Sequence, residues 1–194
     1  MAGSDSKNVY KVDPDSGAAV QFWPSGLTWF PGYENSIGGT GFSVRDGDFY
    51  KFNMESYGKN KKIVHFSVGT TELSEILSYA IDVDVEGIDY DRGANRWYLA
   101  TDTGGAYINI YDDTFQNLLM QYSVDGAVGV LVEDQYVWTV NPDSKKINRY
   151  AKNDMSAAGT ISISYKYPIG IASDGTNYYC TLAPEGKILK FSVP

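Results

Sequence analysis

The stretch GIDYDRGANRWYLATDTGGAYINIYDD, residues 87–113, decides the fold because its pattern recurs along the chain. A glycine opens a short apolar segment, a turn rich in Asp and Gly follows, and an aromatic pair begins the next segment. The same pattern begins again at Gly41, Gly129 and Gly170. A period of roughly 40–45 residues is the signature of a repeat architecture, in which each unit packs on its neighbours.

Each repeat contains short candidate strands that are rich in β-branched and aromatic residues and bounded by turn residues. After the two strands just described, a third is predicted at 61–66, 106–111, 145–150 and 186–191. A fourth is predicted at 75–83, 117–124 and 160–168. Four strands in a repeat of this length predict the blade of a β-propeller.

The segment GIASDGTNYYCTLAPEGKILKFSV, residues 170–193, resembles the blades of NHL- and YVTN-type β-propellers. The resemblance extends over 41–194 and implies a fold that is shared by families of different function. We therefore predict an all-β chain that forms a small propeller of four or five blades. Each blade is expected to be a four-stranded antiparallel sheet.

The two ends of the chain suggest how the ring closes. The last repeat has three predicted strands, and residues 8–23 form a predicted hairpin around DPDSG at 13–17, in which Pro and Gly favour a turn. We predict that an N-terminal strand completes the last blade, because an unpaired edge invites aggregation. The single domain, 1–194, then divides into a disordered leader at 1–7, a closing hairpin and loop at 8–40, and four blades at 41–194.

The composition excludes several classes of protein. The net charge is −8, and no basic face is visible, so nucleic acid is excluded as a partner. Cys180 is the only cysteine, so an intrachain disulfide is excluded. No secretory signal is visible, and no run of about 18 apolar residues predicts membrane insertion. A protein or a carbohydrate is the remaining kind of partner, and we expect an extracellular, cell-surface or virion location.

Catalytic motifs are scarce in this sequence. His65 is the only histidine, so a zinc site rich in histidine is excluded, and the lone cysteine excludes a thiolate site. No nucleophile elbow, P-loop or dinucleotide-binding glycine motif is present. These observations favour a protein without catalytic activity.

One acidic segment is a candidate cation site. Asp82, Asp84 and Glu86 alternate with apolar residues, so in an extended chain they project from one face. Asp89 follows on the next predicted inner strand, and clustered carboxylate oxygens suit Ca²⁺. The alternative is a solvated acidic edge that discourages unwanted strand pairing.

A second candidate site lies in the loop at 24–40, where a ligand-binding rim is predicted. Its aromatic and acidic residues suit contact with a protein or a carbohydrate, since flat rings bury area with little loss of entropy. The rim residues are Trp29, Phe30, Tyr33 and Glu34. The alternative is that the two adjacent aromatic residues of this loop plug one end of the ring.

Three functions remain open after these exclusions. The first is a non-catalytic binding module. The second is a hydrolase or lactonase that depends on a divalent cation in the central channel, although gluconolactonase-like propellers carry more acidic and amide ligands on their inner strands than this sequence offers. The third is a structural assembly block that completes its ring through oligomerisation.

Overall fold

The computed structural model describes residues 8–13, 16, 18–24, 41–56, 59–70, 73–101, 104–165, 167–182 and 186–193. All regular secondary structure in these ranges is β-strand, so the predicted all-β class is confirmed. Within them, no helix is long and apolar enough to cross a membrane.

Seventeen strands follow one another along the described chain. Their bounds are β1 Asn8–Val12, β2 Ala19–Pro24, β3 Phe42–Arg45, β4 Asp48–Ser56, β5 Lys59–Val68, β6 Leu73–Ala80, β7 Gly87–Asp91, β8 Arg96–Thr101, β9 Tyr107–Asp112, β10 Leu118–Ser123, β11 Gly129–Val132, β12 Tyr136–Asn141, β13 Lys146–Ala151, β14 Ala157–Ser162, β15 Pro168–Ser173, β16 Tyr178–Leu182 and β17 Lys187–Phe191.

The strands from β3 onward form four antiparallel sheets, each built from strands that are consecutive in sequence. Blades 1 to 3 are β3–β6, β7–β10 and β11–β14, and blade 4 is β15–β17. The first strand of each blade contacts the first strand of the next, from β3 to β7, β11 and β15. This arrangement is a four-bladed β-propeller, as the repeat predicts.

The N-terminal hairpin is confirmed, and its role in closure stays a prediction. β1 pairs with β2 in a separate two-stranded sheet. At the turn, the Asp13 carboxylate accepts hydrogen bonds from the backbone N–H and the hydroxyl of Ser16. In the described part of the chain β17 pairs with β16 alone, so strand closure of blade 4 is not shown. The leader at 1–7 lies outside the described residues.

Two predicted fourth strands have different bounds in the structure. In blade 3 the prediction of 160–168 was wrong, since the strand is β14 at Ala157–Ser162 and Pro168 already begins β15. In blade 1 the strand β6 ends at Ala80 rather than at residue 83. Both strands end where an apolar residue, Ile81 or Ile163, leaves the edge and turns its side chain into the core. The apolar alternation continues past these points, but the pairing does not.

The core is a series of apolar layers between consecutive blades. Trp97 of blade 2 is fully buried against Tyr50 of blade 1 and Tyr90 of its own blade, with ring centroids 4.4 and 4.6 Å away. Trp138 of blade 3 packs in the same way against Tyr178 of blade 4. The aromatic residues of the second strands therefore join neighbouring blades, as expected for repeats that bury each other's faces.

In blades 2 and 3, the turn between the third and fourth strands adds one buried side chain to these layers, which we call the plug residue. Phe115 lies between β9 and β10 and is 4% exposed, and its ring stacks on Trp97. Met155 occupies the matching turn of blade 3 and is buried between blades 2 and 3. Both residues have a left-handed backbone, with φ of 59° and 56°. Burial of the plug residue thus offsets a backbone conformation that costs a non-glycine residue about 1–2 kcal/mol.

The glycines that open the first three repeats, Gly41, Gly87 and Gly129, are required by the close approach of neighbouring inner strands. A Cβ on Gly87 would lie 2.8 Å from the carbonyl oxygen of Val128 and 3.0 Å from the Cα of Gly129. A Cβ on Gly129 would lie 2.7 Å from the carbonyl oxygen of Ile169. Side chains at these positions would push the blades apart.

Candidate functional site

A surface depression lies between blades 2 and 3. It is a groove of about 460 Å³, which we call the inter-blade groove. Blade 2 contributes Arg96, Tyr98 and Met120 to its walls, and blade 3 contributes Asp134 and Lys152. A volume of this size lies within the range of small-molecule and side-chain binding pockets.

A buried ion pair links the two blades at the groove. Asp91 ends β7 and is 5% exposed, and its Oδ2 lies 3.0 Å from Nζ of Lys152 in blade 3. The other carboxylate oxygen accepts hydrogen bonds from the backbone N–H groups of Gly93 and Ala94, which form the turn after β7. A buried charge without a partner is strongly destabilising, so this pair holds the groove walls together.

Two hydrogen-bond donors of β8 line the groove beside this pair. Arg96 and Tyr98 are two residues apart on one strand, which places them on the same face. Burial, reinforced by the negative charge of Asp91, raises the pKa of Tyr98 to about 12. Its hydroxyl is therefore protonated at neutral pH. Among the described residues, the side chain of the partly buried Arg96 forms neither a hydrogen bond nor an ion pair.

Blade 2 also lines the groove with apolar side chains, and these continue onto its outer strand, β10. Met120 and Tyr122 face the groove from β10, and the Tyr122 hydroxyl lies 3.3 Å from Sδ of Met120. Leu118, Leu119 and Met120 are 50%, 43% and 39% exposed, and we call these three residues the β10 apolar edge. Polar anchors and exposed apolar side chains thus share one surface.

The centre of the propeller offers less chemistry than the groove. Asp89 accepts hydrogen bonds from the Ser43 hydroxyl of blade 1 at 2.9 Å and from the Val132 N–H of blade 3 at 2.8 Å. Burial raises the pKa of Asp89, although these hydrogen bonds act in the opposite direction. Leu131 and Ala172 occupy the matching positions of β11 and β15, so no second acid is paired with Asp89 at this level of the described inner strands.

The predicted cation ligands are not brought together within the described residues. The chain bends at Asp82, Val83 and Glu86, so the extended backbone on which the predicted common face depends is not observed there. Oδ1 of Asp84 lies 2.9 Å from Nζ of Lys61, and Asp89 belongs to the hydrogen-bond network just described. No group of three or more His, Cys, Asp or Glu residues that could hold a metal ion is found in the described ranges.

The calcium hypothesis stays a prediction that a thermal melt tests. Binding to the folded state must raise the unfolding midpoint. A rise in Ca²⁺ over chelator that is lost when Asp82, Asp84 and Glu86 become Asn, Asn and Gln would support it. An unchanged midpoint would remove it.

The predicted rim lies outside the described residues, and the inter-blade groove was not anticipated. Trp29, Phe30, Tyr33 and Glu34 all fall in the undescribed range 25–40. The alternation of Arg96 and Tyr98 along one strand is the only local signal for the groove. Lys152, which also lines the groove, lies in a different blade. Only the packing of the blades reveals that the two blades share a site.

No protein-family model matches this chain, and no curated protein matches it either. Solved structures match it in shape. Glutaminyl cyclase of Myxococcus xanthus has a TM-score of 0.63 at 10% identity, over 80% of this chain and 66% of that chain. The fold is a β-propeller. A chain of the nidogen/laminin complex gives a TM-score of 0.57 at 12% identity, over 79% of this chain and 75% of that one.

A longer match comes from a chain of the mitotic checkpoint complex. It gives a TM-score of 0.54 at 11% identity and covers 98% of this chain, but only 56% of that chain. This propeller therefore spans about two thirds of the cyclase chain and little more than half of the checkpoint chain. At these identities the likeness concerns the fold alone.

Proposed function

We propose that this propeller is a non-catalytic binding module that holds a protein partner at the inter-blade groove. The observation that carries the proposal is the continuity between the groove and the β10 apolar edge. A partner that enters the groove would contact Met120 and would reach the outer strand on which Leu118 and Leu119 are exposed. Such combined surfaces, with apolar area beside a few fixed polar groups, are typical of interaction sites.

A protein partner is favoured over a carbohydrate by the chemistry of the edge. Leu118, Leu119 and Met120 are aliphatic, whereas sugars are bound through hydrogen bonds and flat aromatic faces. Contiguous exposed aliphatic side chains are stabilised by apolar side chains of another protein, at about 25 cal/mol per Å² of apolar area removed from water. The cell-surface or virion location inferred from the charge of −8 belongs to the same proposal.

A binding role is also favoured over catalysis. Asp89 lacks a neighbouring acid or base of the kind that a hydrolase needs, as far as the described inner strands go, and its carboxyl group is used to tie three blades together. Two of the matched structures are named as complexes of proteins, while the cyclase is an enzyme. Fold likeness permits both roles, so the side chains of the groove decide between them.

The experiment is a selection of displayed random octapeptides on the purified protein. Selection is repeated on Ala94→Trp, which places a large ring at the groove from an exposed turn position. Thr176→Trp is the matched control, because Thr176 is exposed in the corresponding turn of blade 4, away from the groove. Circular dichroism melts verify that both variants are folded.

The expected result is a set of peptides that bind the unmodified protein and Thr176→Trp but lose binding to Ala94→Trp. Met120→Glu should weaken the same peptides, since it places a charge in the apolar wall. The corresponding substitution Ile76→Glu, at an exposed apolar position on the outer strand of blade 1, should not. Peptides that bind all variants equally, or no enrichment at all, would overturn the proposal.

A further inference from the structure

We infer that the inter-blade groove recognises a carboxylate, carried by an Asp or Glu side chain of the protein partner. The inference rests on the proposed function, since it names the chemical group that occupies the groove. Arg96, Tyr98 and Met120 are the residues that carry it.

Arg96 supplies the charge and the geometry. Its guanidinium group is planar and presents parallel N–H donors that match the two oxygens of a carboxylate. Among the described residues Arg96 has no acceptor, although it is partly buried in the wall of the groove. A ligand carboxylate would supply the hydrogen-bond acceptors that the protein itself does not provide.

Tyr98 supplies a second, uncharged donor on the same face of β8. Its hydroxyl is protonated at neutral pH, like that of an ordinary tyrosine, and burial raises the pKa of Tyr98 further, to about 12. Lys152 adds little net charge, since its ammonium group is already paired with Asp91. Arg96 is therefore the positive charge that is available to a ligand in this groove.

The surrounding charge favours an anion with one negative charge over an anion with two. Asp91 and Asp134 also line the groove, and the whole chain carries a net charge of −8. A phosphate group, with a charge of about −1.5 to −2 at pH 7, would be repelled more strongly than a carboxylate. The positive charge of Arg96 offsets one negative charge of a bound anion, and the neighbouring acids repel a second negative charge.

The apolar wall indicates what lies next to the acid in the partner. Met120 faces the groove, and the β10 apolar edge continues from it along the outer strand. A partner segment that places its acid near Arg96 and runs across blade 2 towards β10 would contact Met120 and the exposed aliphatic side chains beside it. We expect an aliphatic or aromatic residue close to the acid in the partner sequence.

The test uses the octapeptides selected above for dependence on the groove. Each is synthesised with a fluorescein label, once with its acidic residues and once with Asp or Glu replaced by Asn or Gln. Dissociation constants are measured by fluorescence anisotropy on the unmodified protein, on Arg96→Gln and on Arg96→Lys. Lys190→Gln, which removes a positive charge from an exposed position in blade 4, is the control for net charge.

The inference predicts that the acid-to-amide change weakens binding to the unmodified protein and to Lys190→Gln by about tenfold. The same change should alter binding to Arg96→Gln by less than about twofold, because the charged partner is already gone. Arg96→Lys keeps the positive charge but lacks the parallel N–H donors of the guanidinium group. The effect of the acid-to-amide change on its binding should therefore lie between the effects on the unmodified protein and on Arg96→Gln. A peptide in which phosphoserine replaces the acidic residue should bind the unmodified protein more weakly than the acidic peptide does.

Three outcomes would overturn the inference, and they separate it from the proposed function. Groove-dependent peptides that lack an acid, or that tolerate the amide, would refute carboxylate recognition and leave the binding module intact. Tighter binding of the phosphoserine peptide would replace the carboxylate by a phosphate. The absence of any groove-dependent peptide would overturn both proposals.

Discussion

Glu133 and Tyr178 join blades 3 and 4 through their side chains. The Tyr178 hydroxyl lies 3.0 Å from both carboxylate oxygens of Glu133, and Nε1 of Trp138 donates to the same carboxylate at 2.7 Å. One acid at the end of an inner strand thus orients two aromatic residues that pack between the blades. The contact combines apolar burial with a charge-assisted hydrogen bond, which is stronger than a neutral one.

The first prediction concerns this link. Tyr178→Phe removes the hydroxyl but keeps the ring, so we expect a loss of about 1–2 kcal/mol in the free energy of unfolding. The control is Tyr179→Phe, because that hydroxyl bonds Asp174 within an exposed turn of its own blade. Urea denaturation monitored by tryptophan fluorescence measures both. A larger loss for Tyr179→Phe than for Tyr178→Phe would contradict the assignment of Glu133 as a link between blades.

The second prediction concerns the inner strands. Gly87→Ala places a methyl group against the backbone of blade 3, and we expect a loss of about 1–3 kcal/mol from overpacking. Gly93→Ala is the control, since its Cβ would meet only the Asp91 carboxylate, at 3.3 Å, in an exposed turn. It should change stability by about 0.5 kcal/mol or less. Equal losses in the two variants would show that close approach of the blades is not the reason for Gly87.

The third prediction concerns the plug residue of blade 2. Phe115→Ala removes a buried ring and should cost about 3–5 kcal/mol. Because φ at this residue is 59°, Phe115→Gly should be more stable than Phe115→Ala by about 1 kcal/mol. At the exposed neighbour Gln116, which lacks a left-handed backbone, the order should reverse, with Ala the more stable by about 0.4–1 kcal/mol. The same order at both positions would argue against strain at the plug residue.

The fourth prediction is a dependence on pH through Asp89. Burial raises the pKa of its carboxyl group above the ordinary value of 3.8, so the folded protein holds this proton more tightly than the unfolded chain does. The resulting stabilisation is complete below the unfolded pKa and is lost as the pH rises through the folded pKa. The stability of the unmodified protein relative to Asp89→Asn should therefore fall over the pH range that begins near the unfolded pKa of 3.8 and extends above the raised folded pKa. Denaturation curves of both proteins across this range test it, and a difference that grows with pH would contradict it.

The repeat fold was predictable because its signals are local and recur. The glycine at Gly87 and the aromatic residue at Trp97 each have counterparts in the other blades, so the same pattern marks each unit. Strand ends were less predictable, since the alternation around Ile163 continues although the chain leaves the sheet there. Pairing partners, rather than the periodicity of a single segment, determine where an edge strand stops.

The candidate site was not predictable for a related reason. Asp91 and Lys152 belong to different blades, and their ion pair depends on how the blades pack rather than on any spacing in the sequence. Conversely, the alternating acids from Asp82 to Glu86 suggested a common face only if the chain stayed extended. Because the chain bends in that segment, the alternation of acids in the sequence does not predict how their side chains are grouped in space.

The contact between opening glycines has an evolutionary consequence. Gly41 meets Gly87, Gly87 meets Gly129, and Gly129 meets Gly170 through main-chain atoms. Because backbone is common to all sequences, this innermost seam is the same at each junction and does not constrain the side chains elsewhere in the blade. A gene duplication or deletion that adds or removes one whole repeat would therefore recreate a seam that already fits, while the outer surfaces remain free to diverge.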